Sequence, residues 1–131
     1  MNSPDIATIA SIRSVVTPGL TARALADGEA ELLPSMFATP FMIAFMERAC
    51  AQLLAPLLKP GELSVGARIE VAHLAPTAIG SAVVCSARFV ETQGPLYWFD
   101  VWADDDRRRI GKGRIARAIV AETELTARAG A

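Results

Sequence analysis

The clustering of apolar residues divides the chain into five segments with strand character and one with helix character. From Ile6 to Val16 the apolar positions Ile6, Ile9, Ile12, Val15 and Val16 are β-branched and stop at Thr17-Pro18-Gly19, which predicts a first strand. Residues Leu20 to Met36 mix Ala, Asp, Gly, Glu and Leu and finish at Pro34-Ser35, a composition that suits a surface connection or a lid. Thr39-Pro40 then opens a helix expected to run to about Leu58, because Thr is a good N-cap and Pro is tolerated in the first helical turn. Phe41, Met42, Ile43, Phe45, Met46, Ala49, Cys50, Leu53 and Leu54 surround nearly its whole circumference, which predicts a helix buried on all sides, with Pro56 kinking its last turn.

The remainder predicts four strands, Glu62 to Leu74, Ser81 to Glu91, Leu96 to Ala103 and Arg109 to Glu122. Turn residues at Pro76 to Gly80, Gln93-Gly94-Pro95 and Asp104 to Arg107 separate them. Short links between the last three imply an antiparallel meander. A long helix followed by such a run predicts an α+β fold in which the sheet wraps the helix. A single domain over residues 1–131 is expected, with Thr123 to Ala131 as a frayed tail.

Composition adds a reason to expect self-association. The hydrophobic fraction is 52% but aromatics supply only 6%, so small aliphatic side chains carry an apolar content beyond what a monomer of this size readily buries. Thirteen basic and 14 acidic residues give a net charge of −1 without a block of either sign, which argues against nucleic acid or an anionic membrane as partner. No stretch reaches the roughly 20 apolar residues of a membrane span, and Met1 to Ala10 lacks the pattern of a signal peptide, so a soluble cytoplasmic protein is expected. Cys50 and Cys85 sit inside apolar runs without CxxC spacing and read as buried reduced thiols.

Three residues could carry chemistry. Glu47 interrupts an apolar helix, which requires an ion pair with Arg48 or another basic group, a position at a helix edge that stays wet, or a desolvated carboxylate raised in pKa and ready to act as base or nucleophile. His73, the single histidine, falls where a strand meets the turn Leu74-Ala75-Pro76 and fits either a structural role or proton transfer. Thr39 is explained by N-capping alone, and its hydroxyl could instead bind a thioester carbonyl or oxyanion at the helix N-terminus. Thr39 and Glu47 are 8 positions apart, or roughly 12 Å along a regular helix. One atom can meet both only if the helix start is irregular or the site draws on two subunits. One histidine and two scattered cysteines make a catalytic metal site improbable.

Other conspicuous residues have plainer readings. The run Asp104 to Arg109 alternates from three acids to three bases and fits a solvated hairpin turn. Gly111-Lys112-Gly113 lacks the spacing of a phosphate loop. Trp98 and Trp102, alternating on a strand, suit a core or dimer surface.

In sequence order, Met36-Phe37-Ala38-Thr39, Met46-Glu47-Arg48-Ala49-Cys50 and Val71-Ala72-His73-Leu74-Ala75-Pro76-Thr77 resemble the fluoroacetyl-CoA thioesterase family. The spacing of 8 residues from Thr39 to Glu47 and 26 from Glu47 to His73 matches as well. The likeness runs from about Phe37 to Val120 and includes Ala55-Pro56-Leu57, Lys59-Pro60-Gly61-Glu62 and Ile110-Gly111-Lys112-Gly113. The resemblance implies a hotdog-fold homodimer that hydrolyses a short or medium acyl-CoA without a cofactor. It further implies that Thr39 polarises the thioester, Glu47 is nucleophile or general base, and His73 assists proton transfer, with Gly66 beside the substrate. Where the fluoroacetyl-specific enzyme carries lid phenylalanines, this chain has Ala30, Glu31, Leu32, Leu33 and Pro34. Acyl-CoA hydrolysis is therefore better supported than selectivity for the fluorinated acyl group. A non-catalytic acyl-binding protein or a hotdog hydratase or dehydratase would share the fold and the pocket.

Overall fold

The computed structural model describes residues 3–131; Met1 and Asn2, counted in the expected domain, lie outside the described residues. The strands are β1 (Ile9–Val15), β2 (Glu62–His73), β3 (Ala82–Gln93), β4 (Leu96–Asp105) and β5 (Arg109–Ala121). They form one antiparallel sheet in the order β1-β3-β4-β5-β2, so β1 and β2 are its edges. The helices are α1 (Ala22–Leu25), α2 (Thr39–Leu54) and α3 (Glu122–Arg128), and the sheet wraps α2 in the expected α+β arrangement. Among the described residues no helix is long and apolar enough to cross a membrane.

Helix α2 buries Met42, Met46, Ala49, Cys50, Leu53 and Leu54, a set spaced by three and four residues that forms one stripe. That stripe forms a single core with the alternate residues Val83, Cys85 and Ala87 of β3, Phe99 and Val101 of β4 and Ile115 of β5. The expectation of a helix buried on all sides is corrected: Phe41, Ile43 and Phe45 are only half-buried, and Ala44 and Arg48 are exposed. One sheet can cover only one side of a helix, so the apolar residues on the other side remain open. The helix also ends sooner than expected. Pro56 has no N–H to donate, and the chain tightens into a 3₁₀ turn at Ala55–Leu57.

Two glycines let β5 lie close to its neighbours, one against α2 and one against β2. A Cβ on Gly111 would stand 2.6 Å from the Met42 sulfur, and one on Gly113 would collide with the Glu70 carbonyl and the Val71 Cα. Gly111 is thus required by the close approach of α2, and Gly113 by the close approach of the neighbouring strand β2. On the sheet's other face Trp98 and Trp102 lie beneath Arg114 and Arg109, with guanidinium carbons 5.0 and 5.9 Å from the ring centres. Of the tail expected from Thr123 to Ala131, the residues up to Arg128 belong to helix α3, none of whose residues is buried. Both cysteines are free and buried, and burial pushes each thiol up to about 12, so neither ionises near neutrality.

Candidate functional site

Thr39 does not cap its helix. Ala38 occupies the N-cap position in extended conformation, and its carbonyl accepts from the amides of Phe41 and Met42. The Thr39 hydroxyl, released from that duty, stands 2.7 Å from Nδ1 of His73, the last residue of β2. Either the hydroxyl donates to Nδ1 or Nδ1–H donates to the hydroxyl. In both tautomers the buried Nε2 has no hydrogen-bond partner among the described residues. Burial lowers the His73 pKa below its ordinary value of 6.5, with the nearby Ala75 backbone pulling weakly the other way. The ring is therefore neutral at pH 7 and able to accept a proton.

The loop after His73 is held by a polar anchor. The buried Thr77 hydroxyl donates to the Asp105 carboxylate at 2.9 Å, and the same carboxylate accepts from the amides of Arg107 and Arg108 at 2.8 and 2.9 Å. The Thr77 carbonyl accepts from the Phe37 amide at 2.9 Å, tying this loop to the segment that leads into Thr39. Burial opposes ionisation of Asp105, but the amides, the hydroxyl and Arg108 outweigh it and hold the pKa below its ordinary value. A lowered carboxyl pKa contributes stability that is present above about pH 4 and lost as the pH falls through the lowered value. Asp105→Asn is expected to lose less stability than the parent between about pH 4 and pH 2. Thermal denaturation across that range measures it, and equal losses in both proteins would refute the anchor's contribution.

Glu47 forms a separate cluster. Its carboxylate accepts from Nη1 of Arg117 at 3.2 Å, and the same guanidinium donates to the Ser64 carbonyl at 2.8 Å and the Ser64 hydroxyl at 3.3 Å. The expected ion pair thus forms with Arg117 on β5, while Arg48 points to solvent. The Glu47 side chain keeps 29% of its surface exposed while that of Arg117 keeps 9%, so the carboxylate is both paired and partly wet. Gly66 faces this carboxylate. A Cβ there would lie 3.3 Å from both Glu47 oxygens, and the glycine leaves that side of the carboxylate clear. The register of β2 against β5 shifts between Gly66 and Arg68, a bulge that locally reshapes the strand at this point.

The four expected site residues therefore fall into two pairs, Thr39 with His73 and Glu47 with Gly66. Along β2 the pairs are set apart by the 7 residues from Gly66 to His73, about 23 Å of extended strand. Arg117 and Ser64 were not singled out from the sequence. Arg117 carried the signal that marked Glu47, a charge inside the apolar run Ile115-Ala116-Arg117-Ala118-Ile119. Beside Thr39 and His73 opens a cleft of about 600 Å³, lined by Leu33, Met36, Phe37 and Leu74 among others. No group of three or more metal-ligating side chains gathers among the described residues. Chemically, one pair offers a hydroxyl and a neutral imidazole, and the other a carboxylate oriented by an arginine.

Comparison with known proteins places this geometry. Residues 16–123 match the family described as "Fluoroacetyl-CoA-specific thioesterase". The chain is 39% identical over 108 residues to the fluoroacetyl-CoA thioesterase of Streptantibioticus cattleyicolor, covering 81% of this chain and 78% of that one. A crystal structure of a fluoroacetyl-CoA-specific thioesterase variant in complex with fluoroacetate and CoA superposes with a TM-score of 0.85 at 34% identity, covering 95% and 99% of the two chains. A thioesterase superfamily member from Thermus thermophilus superposes with a TM-score of 0.83 at 31% identity, over 97% and 91%. The sheet wrapped on α2 is the hotdog fold of these thioesterases.

Proposed function

The chain belongs to the fluoroacetyl-CoA-specific thioesterase family, and from that premise we propose that it hydrolyses the thioester of an acyl-CoA in a site shared between two subunits. The observation that carries the shared site is the separation of the two pairs. Strand β2 is a sheet edge whose outer hydrogen-bonding groups face no other strand, and Leu63 and Ile69 on it are 37% and 47% exposed. Antiparallel pairing of β2 with its copy in a second subunit, about a two-fold between Ile69 and Glu70, sets Gly66 opposite the partner subunit's His73. One subunit's Glu47 and Gly66 then face the other's Thr39 and His73, and the open side of α2 is covered by the same association.

In such a site each pair has a distinct task. The Thr39 hydroxyl donates to the thioester carbonyl and stabilises the negative charge that develops there. Glu47, held by Arg117, either attacks the carbonyl carbon or takes a proton from the attacking water. The C–S bond breaks, water supplies the oxygen of the released acid, and the CoA sulfur leaves as a thiolate that takes up a proton from solvent, directly or after Nε2 of His73 has accepted one. Gly66 leaves room for the acyl carbonyl to approach the carboxylate. Ser64 and Arg117 fix the direction in which that carboxylate points.

Appearance of free CoA when the purified protein meets acyl-CoAs is the direct test, and no release from any of them would refute the reading. The pH profile supplies a second check. Because burial holds His73 below its ordinary value, the neutral imidazole persists into mild acid, and the acid limb of kcat/KM is expected below about pH 6.5. An acid limb above that value would assign the titration to another group.

A further inference from the structure

We infer that the acyl group this site takes is a neutral aliphatic chain longer than acetyl, and that two-carbon and carboxylate-bearing acyl groups are poor substrates. The inference rests on the thioesterase reading above and deepens it. The cleft beside Thr39 and His73 is walled by Ala22, Leu33, Met36, Phe37, Leu74 and Pro76, and among the described residues of the subunit no charged side chain other than the titratable His73 lines it. Arg23 and Glu29 of the lid border a different, smaller hollow of about 250 Å³. A carboxylate at the end of an acyl chain would lose water on this wall without meeting a cation of the subunit that forms it.

The wall is apolar and unfilled. Leu33, Met36 and Leu74 keep 36%, 40% and 51% of their surface exposed, so they hold back apolar area that an acyl chain would cover. At about 600 Å³ the cleft has room well beyond a two-carbon group. It is also braced against collapse. The amides of Ala22 and Arg23 donate to the carbonyls of Met36 and Pro34 at 3.0 and 2.9 Å, and the Ala38 amide donates to the Leu20 carbonyl at 2.9 Å. Between these ties Leu32 takes a left-handed conformation, φ 41°, which a leucine adopts only against a steric cost. The lid thus holds Leu33 on the cleft wall through a backbone conformation that its own sequence disfavours.

The larger groove of about 820 Å³ on the solvent face of the sheet does not compete for the acyl group. Its Arg88 and Arg114 already pair with Asp100, and it lies across the sheet from α2.

Each further methylene buried on such a wall is worth about fourfold in binding, so butyryl-CoA, two methylenes longer, is expected to exceed acetyl-CoA by about fifteenfold in kcat/KM. Succinyl-CoA, which matches butyryl-CoA in chain length but ends in a carboxylate, is expected to fall about a hundredfold below it. Thiol release with these three substrates reads both ratios. Acetyl-CoA equal to or better than butyryl-CoA, or succinyl-CoA equal to butyryl-CoA, would overturn the inference. Leu33→Arg puts a cation on the wall and should raise the succinyl-to-butyryl ratio at least about tenfold, a ratio that loss of folded protein leaves unchanged. An unaltered ratio would place the acyl chain elsewhere. If no acyl-CoA releases thiol, the thioesterase reading fails by itself. Calorimetric binding of the same three acyl-CoAs then decides the cleft's preference, with butyryl tightest supporting it and acetyl or succinyl tightest overturning it.

Discussion

Glu47→Gln is expected to lower kcat/KM by about 10³-fold while the protein stays folded and its melting temperature moves by only a few degrees. Glutamine keeps the length of the side chain and retains an oxygen that can accept from Arg117 Nη1, as the carboxylate does at 3.2 Å. The substitution therefore removes charge and basicity with little change in packing. Glu47→Ala is a poorer test. It would leave the guanidinium of Arg117, 7% exposed as a residue, with Ser64 alone to satisfy it, and a loss of activity would mix chemistry with destabilisation. Steady-state thiol release beside a thermal melt separates the two effects. Activity within about tenfold of the parent would show that Glu47 is a structural ion pair and that the base lies elsewhere.

Much of the fold could be read from the chain because its signals are local. The β-branched runs bounded by Gly and Pro mark the strands, and short links between β3, β4 and β5 make these three neighbours in the sheet, whereas β1 beside β3 and β2 beside β5 are set by distant contacts. Features set by distant contacts could not be read in this way. Helix α2 is apolar all round, yet which side meets the sheet depends on Val83, Phe99 and Val101, residues far away in sequence. Thr39-Pro40 has the composition of an N-cap and N1, but the cap falls one residue earlier because the Thr39 hydroxyl is taken by His73, 34 residues away.

The candidate site shows the same division. Glu47 and His73 stand out by residue type, whereas Arg117 acquires its meaning only when β5 and β2 are laid side by side and its guanidinium reaches Ser64. The bulge at Ala67 has no marker in the sequence beyond the neighbouring Gly66. The polar anchor of Thr77 on Asp105 spans 28 residues and joins two turns that separately look like ordinary solvated loops. The role of Gly111 and Gly113 likewise emerges from what a Cβ would strike, the Met42 sulfur and the backbone of β2.

The second large effect concerns the division of the site between subunits. In one chain Thr39 and His73 lie at one end of β2, and Glu47 faces Gly66 nearer the other. If pairing of the β2 edges brings the two halves together, each active site takes Thr39 and His73 from one subunit and Glu47 from the other. Two inactive variants with lesions in different halves then complement each other. A heterodimer of Glu47→Gln and His73→Ala subunits carries both lesions in one site and none in its second site. Random exchange makes about half of the dimers heterodimeric, so about a quarter of the parent's sites are intact. The decisive measurement is thiol release after Glu47→Gln and His73→Ala subunits are dissociated, mixed in equal amounts and reassembled. The shared site predicts recovery from near zero to about a quarter of parental activity. Activity that stays at the level of the separate variants, in a mixture shown to contain heterodimers, would contradict it and confine the site to a single chain.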